Sequence, residues 1–376
     1  MRVIFCPDSF TGTLSAAEAA EAMALGWLRL RPEDSVITLP QSDGGPGFVS
    51  ALNGALGGEI HTELVSDPLG RTLEASWLFV GDTAYIESAS ACGSHLLADD
   101  ERNPALTSTF GVGQLVAAAI AAGARRVVVG LGGTATNDAG AGLLAALGAT
   151  AQNGAGEDIT HALASGGLGL RDIASVDISV VSDLLRGVTI EVATDVDNPL
   201  LGLRGATNTF GPQKGANTDL VMQLEGSLQH FADVLGRRPD GKSAAVALGA
   251  GAAGGLGFAL LHVGAIRSAG IDRIMEFSGL NAALKTADLV ITGEGSFDWQ
   301  SLSGKVVTGV ARAALDLGVA VVVVAGQVDL GRREWQSIGV HGVYSLVDMV
   351  GETEAFANAA SALSDALERV ARTWGR

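Results

Sequence analysis

The chain has 376 residues, 47% of them hydrophobic and only 17% charged, a balance too apolar and too sparsely charged for disorder and a length that suits two domains. Forty-one Asp and Glu against 24 Lys and Arg leave a formal charge of −17, which repels phosphate backbones and anionic lipid and makes nucleic acid and membrane surfaces poor partners. Two cysteines, Cys6 and Cys92, are too few for a disulfide framework or a Cys-rich metal site, so a reducing compartment, the cytoplasm, is expected.

The chain opens on MRVIFCPDSF, where a short β-branched run meets Pro and Asp at once; this reads as a first strand and leaves no room for a signal peptide. Continuous apolar, β-branched runs predict strands over 3–5, 36–39, 127–129, 190–193, 289–291 and 319–324, each covered on both faces. The strongest apolar run, 319–325, is far too short to span a membrane. Amphipathic Ala/Leu/Glu-rich stretches predict helices over 15–30, 113–122, 219–235, 306–317 and 353–373, the first capped by Ser15 with Glu18 closing a capping box. Alternation of this kind implies α/β architecture, with the loops after each strand gathered along one sheet edge. From His61 to Glu87 the pattern changes to period two with turn signals and no helix, which marks a different module. Strict alternation resumes near Ala287. We therefore expect one doubly wound parallel domain, 1–60 plus 286–376, interrupted by a second α/β domain with a mixed sheet, 61–285.

The loops after the strands carry the chemistry. PDSFTGTLSA follows the first strand and brings Asp8 and Ser9 to its end, where Asp8 is either a turn former or a ligand contact. PQSDGGPGF follows the second, with Asp43 before glycines that open a helix, an arrangement suited to an anion at backbone N–H groups. GLGGTATNDAGAG, with Gly132, Gly133, Thr134, Asn137 and Asp138, precedes a predicted helix over 141–147 and is a candidate phosphate cradle, the alternative being a turn that serves packing alone. It lacks the third glycine of a dinucleotide fingerprint. TDVDNPLLG sets Asp195 and Asp197 at a strand end as hard oxygen ligands for Mg²⁺ or as a base. Lys214, one of four lysines, lies in TFGPQKGA and is a plausible phosphate clamp. The tract LGAGAAGGLGFAL permits close approach of helices or of a ligand. TGEGSFDWQSLSGKVVTG collects Glu294, Asp298 and Lys305, but Trp299 and Val306 exclude a Walker A motif. No GxSxG elbow and no His/Cys zinc spacing are present. Glycine loops, scarce lysines and strand-end acids together point to phosphoryl transfer.

In order and spacing, PDSFTGTLSA, SDGGPG, DPLGR, IESASACG, RNPALTSTFGVG, GLGGTATNDAGAG, ATDVDNPLLGLRGA, FGPQKGA, GAGAAGGLG and ADLVITGEGSFDWQSLSGK resemble the bacterial type-1 glycerate kinases over roughly residues 1–330. The resemblance implies a flavodoxin-like domain interrupted by a restriction-enzyme-like insertion, and phosphorylation of D-glycerate by ATP and Mg²⁺, with 2-phosphoglycerate favoured as product. It also implies a site lined by Asp8, Ser9, Asp43, Arg71, Arg102, Asn137, Asp138, Asp195, Asp197, Lys214, Glu294, Asp298 and Lys305. Its partners would be D-glycerate and ATP, and the protein a monomer or homodimer. Two departures stand out: family members carry PDSFKGSLSA and ADGGEGT, where this chain has Thr11, Pro46 and Phe48.

The mechanism expected from these residues has Lys214, Lys305 and glycine-loop N–H groups on the ATP phosphates and Mg²⁺ on Asp195 or Asp197. Arg71 or Arg102 would clamp the substrate carboxylate, and Asp298 or Asp8 would orient the attacking hydroxyl. A kinase of another small hydroxy acid and a silent ligand-binding protein are the alternatives, motivated by these departures.

Overall fold

The computed structural model describes residues 1–10, 12–42, 44–238, 240–268, 270–302 and 305–375. They divide into two compact units: Met1–Asp43, Ser50–Gly57 and Gly270–Arg376 form the first, and Gly44–Val49 with Gly58–Ala269 the second.

The first unit is built on a five-stranded, wholly parallel sheet in the order Gly342–Ser345, Ala320–Ala325, Leu289–Thr292, Arg2–Phe5, Ser35–Thr38. In the unit's own chain order this is 2-1-3-4-5, the flavodoxin-like winding, whose direction of growth reverses between the first and third strands. Side chains alternate between its faces. Val3, Phe5, Ile291, Val322 and Val324 pack with Met23, Trp27 and Leu367, whereas Ile4, Cys6, Val290, Val321 and Val323 pack with Ile271, Val306 and Val310. Helices thus cover both faces, which is why the strands read as unbroken apolar runs. Helix Ala16–Leu30 starts where expected: Ser15 Oγ accepts from Glu18 N at 3.2 Å, and Glu18 Oε2 accepts from Ser15 N at 2.9 Å. The helix predicted over 353–373 is two, Glu352–Ala357 and Ala359–Trp374; the chain breaks at Asn358, whose amide turns back to Glu354.

The second unit carries a six-stranded mixed sheet in the order Ile266–Ser268, Thr189–Ala193, Arg126–Gly130, Thr83–Glu87, Thr72–Val80, Glu59–Ser66. The first four strands are parallel to their neighbours. The last two are antiparallel additions, and these are the period-two stretch of the sequence. A single core holds the unit, including Trp77, Val112, Val127, Val129, Leu143, Val192 and Phe231. Residues 270–285, which the sequence pattern leaves in the insertion, belong with the first unit, because Ile271, Met275, Leu280 and Leu284 complete one face of its sheet. Cys6 and Cys92 are buried and free. No helix among the described residues is long and apolar enough to cross a membrane.

Candidate active site

In the second unit the chemistry gathers at the carboxyl ends of three parallel strands, which finish in register at Glu87, Gly130 and Ala193. The segment Gly44–Val49 packs onto them. A Cβ added at Gly132 would lie 2.6 Å from Gly45 Cα, and one at Gly133 2.7 Å from Pro46 Cγ. One at Gly44 would lie 2.7 Å from Ala193 O. Gly44 and Gly132 are therefore required by backbone-to-backbone approach, and Gly133, at φ 66°, by the ring of Pro46. Phe48 is buried, against Gly130 and with its ring centroid 6.4 Å from that of Tyr85, so this departure from the family pattern is a core residue. Thr11, Asp43, Ser303 and Gly304 lie outside the described residues.

Both helix N-termini that the sequence offers to an anion are filled by the chain's own acids. Asp138 is fully buried and accepts from Thr109 N at 2.8 Å, Thr109 Oγ1 at 2.9 Å, Gly140 N at 3.0 Å and Gly142 N at 3.3 Å. Burial raises its pKa against these stabilising bonds. It ties the loop to the start of helix Ala141–Ala146 and of helix Phe110–Ala121, so it anchors the cradle and does not face a ligand. Glu87 Oε2 does the same for Phe48–Leu56, accepting from Gly47 N at 3.0 Å and Val49 N at 3.4 Å. Sequence reading missed Glu87; the only signal is a charged residue closing the apolar strand TAYIE.

What remains for an external anion is the turn 132–134 and Lys214. The Lys214 side chain is 5% exposed, and its Nζ reaches Thr136 O at 2.7 Å and Thr134 Oγ1 at 3.2 Å. No carboxylate among the described residues pairs with it. Burial lowers its pKa to about 8, since desolvation penalises the ammonium. It lines a cavity of about 350 Å³ with Gly132, Gly133, Thr134, Ser94 and Gln213 on the polar side and Leu131, Val196, Phe210 and Ala253 on the apolar side. Asp138 acts on Lys214 only at longer range, and a buried cation without a direct ion pair, beside glycine N–H groups and hydroxyls, is suited to receive phosphate or carboxylate.

The loop after Thr189–Ala193 holds Asp195, half-buried, and Asp197, exposed and paired with Arg267 at 2.6 Å. No group of three or more metal-binding side chains occurs among the described residues. Mg²⁺ asks less, often one or two carboxylates with phosphate and water, a donor type that this loop supplies. Asn137 is buried; its amide donates to Thr207 Oγ1 at 3.0 Å, and its Oδ1 has no partner among the described residues. Arg71 is held by Asp67 at 2.5 Å and Glu101 at 2.6 Å, so its fork is taken up within the chain. Arg102 pairs with Asp99 at 3.1 Å but keeps a buried Nε without a partner, and its backbone abuts Gly215, next to Lys214.

The glycine tract of 248–260 explains itself here. Ala139 and Ala253 are the only described non-glycine residues with positive φ, at 52° each, and they face each other's loops: Ala139 N donates to Gly254 O at 3.1 Å. Gly254 sits at φ 67°, and a Cβ there would collide with the carbonyl of Thr136, the acceptor of Lys214. Gly254→Ala is therefore expected to cost about 1–3 kcal/mol by overpacking and to lower turnover more than 10-fold by displacing Lys214, read by thermal melting and steady-state assay.

In the first unit the loops after Phe5 and Thr292 lie side by side where the strand order reverses, joined by Asp8 N to Gly293 O at 2.8 Å. That is the crevice where open α/β sheets bind ligands. Asp8 and Ser9 are half-buried there, and Glu294 is 7% exposed. Asp8 Oδ1 accepts from Ser9 N at 2.7 Å. Asp298 Oδ1 accepts from Gln300 N at 2.8 Å, a turn-forming role that leaves its second oxygen for other work. Lys305 is the N-cap of helix Val306–Leu315 and is half-buried.

A flavodoxin-like sheet with acids at its switch point, and a mixed sheet whose strand-end glycine turn surrounds a buried lysine, define an α/β enzyme of the phosphotransferase class. The sequence model described as the glycerate kinase family matches residues 3–375. The glycerate kinase of Bacillus subtilis (strain 168) is 42% identical over 99% of this chain and 96% of its own. The glycerate 2-kinase of Escherichia coli (strain K12) is 37% identical over 99% and 98%. A crystal structure assigned to glycerate kinase 2 of Salmonella typhimurium LT2 superposes with a TM-score of 0.81 at 37% identity, covering 99% of this chain and 98% of that one. The chain belongs to the glycerate kinase family.

Proposed function

We infer that this chain transfers the terminal phosphoryl group of ATP to D-glycerate, with 2-phosphoglycerate as the product. The observation that carries this reading is Lys214: a charged side chain buried over a glycine turn, with no carboxylate within ion-pair distance among the described residues and only the more distant Asp138 acting on it, holds its ammonium for the phosphates of a substrate. Lys305 and the N–H groups of 132–134 are its proposed helpers. Asp195 would hold Mg²⁺, which when bound neutralises phosphate charge. Arg102, with a guanidinium nitrogen to spare, is preferred over Arg71 for the substrate carboxylate. Asp8 or Asp298 would orient the attacking hydroxyl and accept its proton. Two buried free thiols are in keeping with a cytoplasmic protein.

A different acceptor or a silent protein was motivated by Thr11, Pro46 and Phe48. Phe48 belongs to the core and Pro46 packs on Gly133, so neither demands a new substrate. The test is ³¹P NMR of the purified chain with ATP, Mg²⁺ and D-glycerate. A 2-phosphoglycerate resonance is expected; unchanged ATP sinks the reading, and a 3-phosphoglycerate resonance corrects its regiochemistry.

A further inference from the structure

Glu87 has no place in the chemistry outlined above, yet it ends the strand between the meander and the glycine loop, directly beside Gly130. One carboxylate oxygen gathers the N–H groups of Gly47 and Val49. The segment it holds presses on Gly130 and Gly132 with the backbone of Gly44 and Gly45, and on Gly133 with the ring of Pro46. Nothing else explains why an acid sits there: among the described residues it has no ion pair. The elements around it bring backbone amides, glycines, Phe48 and the phenol of Tyr85; Asp43, at the edge of the segment, lies outside the described residues.

We propose that Glu87 is a positioning residue that clamps the Gly44–Val49 segment by its amides and so holds the glycine turn 132–134 in the shape that receives phosphate. The clamp grips the segment by its amides, and the segment in turn meets the glycine turn through the backbone of Gly45 and the ring of Pro46. Its functional part rests on the kinase reading; its structural part does not.

The energetics separate a positioning role from a merely structural one. Desolvation raises the Glu87 pKa from 4.5 to about 6 despite its amide bonds. With the folded pKa above the unfolded one, the folded state binds the extra proton between those values. Stability contributed by this group is then present at low pH and falls as pH rises through about 6, so the ionised clamp is kept at a stability cost. Glu87→Gln removes the charge and preserves the shape. If the carboxylate serves only to stabilise the fold, the variant melts lower and loses activity in parallel. If it positions the loop, the variant melts no lower while kcat falls about 10-fold or more.

The experiment combines three readouts on wild type, Glu87→Gln and Glu87→Ala. Amide hydrogen exchange over 44–49 and 130–134 should accelerate in both variants with the rest of the chain unchanged; unchanged protection at these amides overturns the clamp. The pH profile of kcat/KM should show an acid limb near pH 6 in the wild type that is absent from Glu87→Gln. Faster exchange with wild-type turnover and an unaltered limb would overturn the functional part. If the wild type itself does not phosphorylate glycerate, the kinase reading fails by that control, and the exchange data still decide the clamp.

Discussion

Replacing Lys214 by Met is expected to abolish practical turnover, about 10²–10³-fold in kcat/KM, without lowering the melting temperature. The ammonium is buried, bonds among the described residues only to Thr136 O and Thr134 Oγ1, and is held at a pKa near 8 in place of its usual 10.5. A depression of that size corresponds to a penalty on the order of 3 kcal/mol for keeping the charge in the folded state. Met keeps the stem and removes the penalty, against the loss of two hydrogen bonds worth about 1 kcal/mol each. For a cation with a lowered folded pKa, the unfolded chain binds the extra proton between about 8 and 10.5, so wild-type stability should rise with pH across that window. Turnover should run the other way, with kcat/KM falling above about pH 8 as the clamp deprotonates. A bound phosphate would hold the proton on, so the limb in kcat should lie at higher pH than the limb in kcat/KM. A variant that retains full activity removes Lys214 from the mechanism.

Asp195→Asn should be as severe, about 10³-fold or more in kcat, with the fold intact by circular dichroism and melting. The conservative amide keeps the size and one lone-pair acceptor but lacks the charge that a hard divalent cation requires. The neighbouring Asp197→Asn is the internal control. Its carboxylate is exposed and already committed to Arg267, and exposed pairs contribute little, so less than a 10-fold change is expected. Titrating Mg²⁺ against initial rate distinguishes the two: the apparent requirement should rise steeply for Asp195→Asn and stay near wild type for Asp197→Asn. Equal losses in both would mean that the two acids share the cation.

These residues share a thermodynamic character that bears on how much could be read from the sequence. Strands 289–291 and 319–324 were predicted to within a residue or two because strands buried on both faces must be continuously apolar. Ser15 and Glu18 announce the first helix by a pairing of fixed spacing. Strands Gly342–Ser345 and Ile266–Ser268 escaped, being short and mixed with glycine or serine. The interplay of loops escaped for a different reason. Glycine-rich segments before helices do advertise free N–H groups, but which acid fills them depends on contacts from distant positions, Glu87 for Gly47 and Asp138 for Thr109. Those pairings have no periodicity, so two expected anion sites turned out to be occupied by the chain itself. Lys214 is conspicuous in the sequence because lysine is scarce here and because Gly-Pro and Gly flank it, yet its burial and lowered pKa emerge only from packing.

The order of the chain also governs how the molecule can be made. Strand Arg2–Phe5 is synthesised well before one of its neighbours, Leu289–Thr292, which follows some 280 residues later, at about 5–20 residues per second a delay of roughly 15–60 s. During that interval the second unit, nearly contiguous over Gly58–Ala269, can reach its own core while Val3, Ile4 and Phe5 have no central strand to join. Synthesis thus leaves an apolar N-terminal strand waiting on the last third of the chain, and a nascent chain stopped short of residue 289 should show a protease-resistant second unit preceded by a protease-sensitive N-terminus.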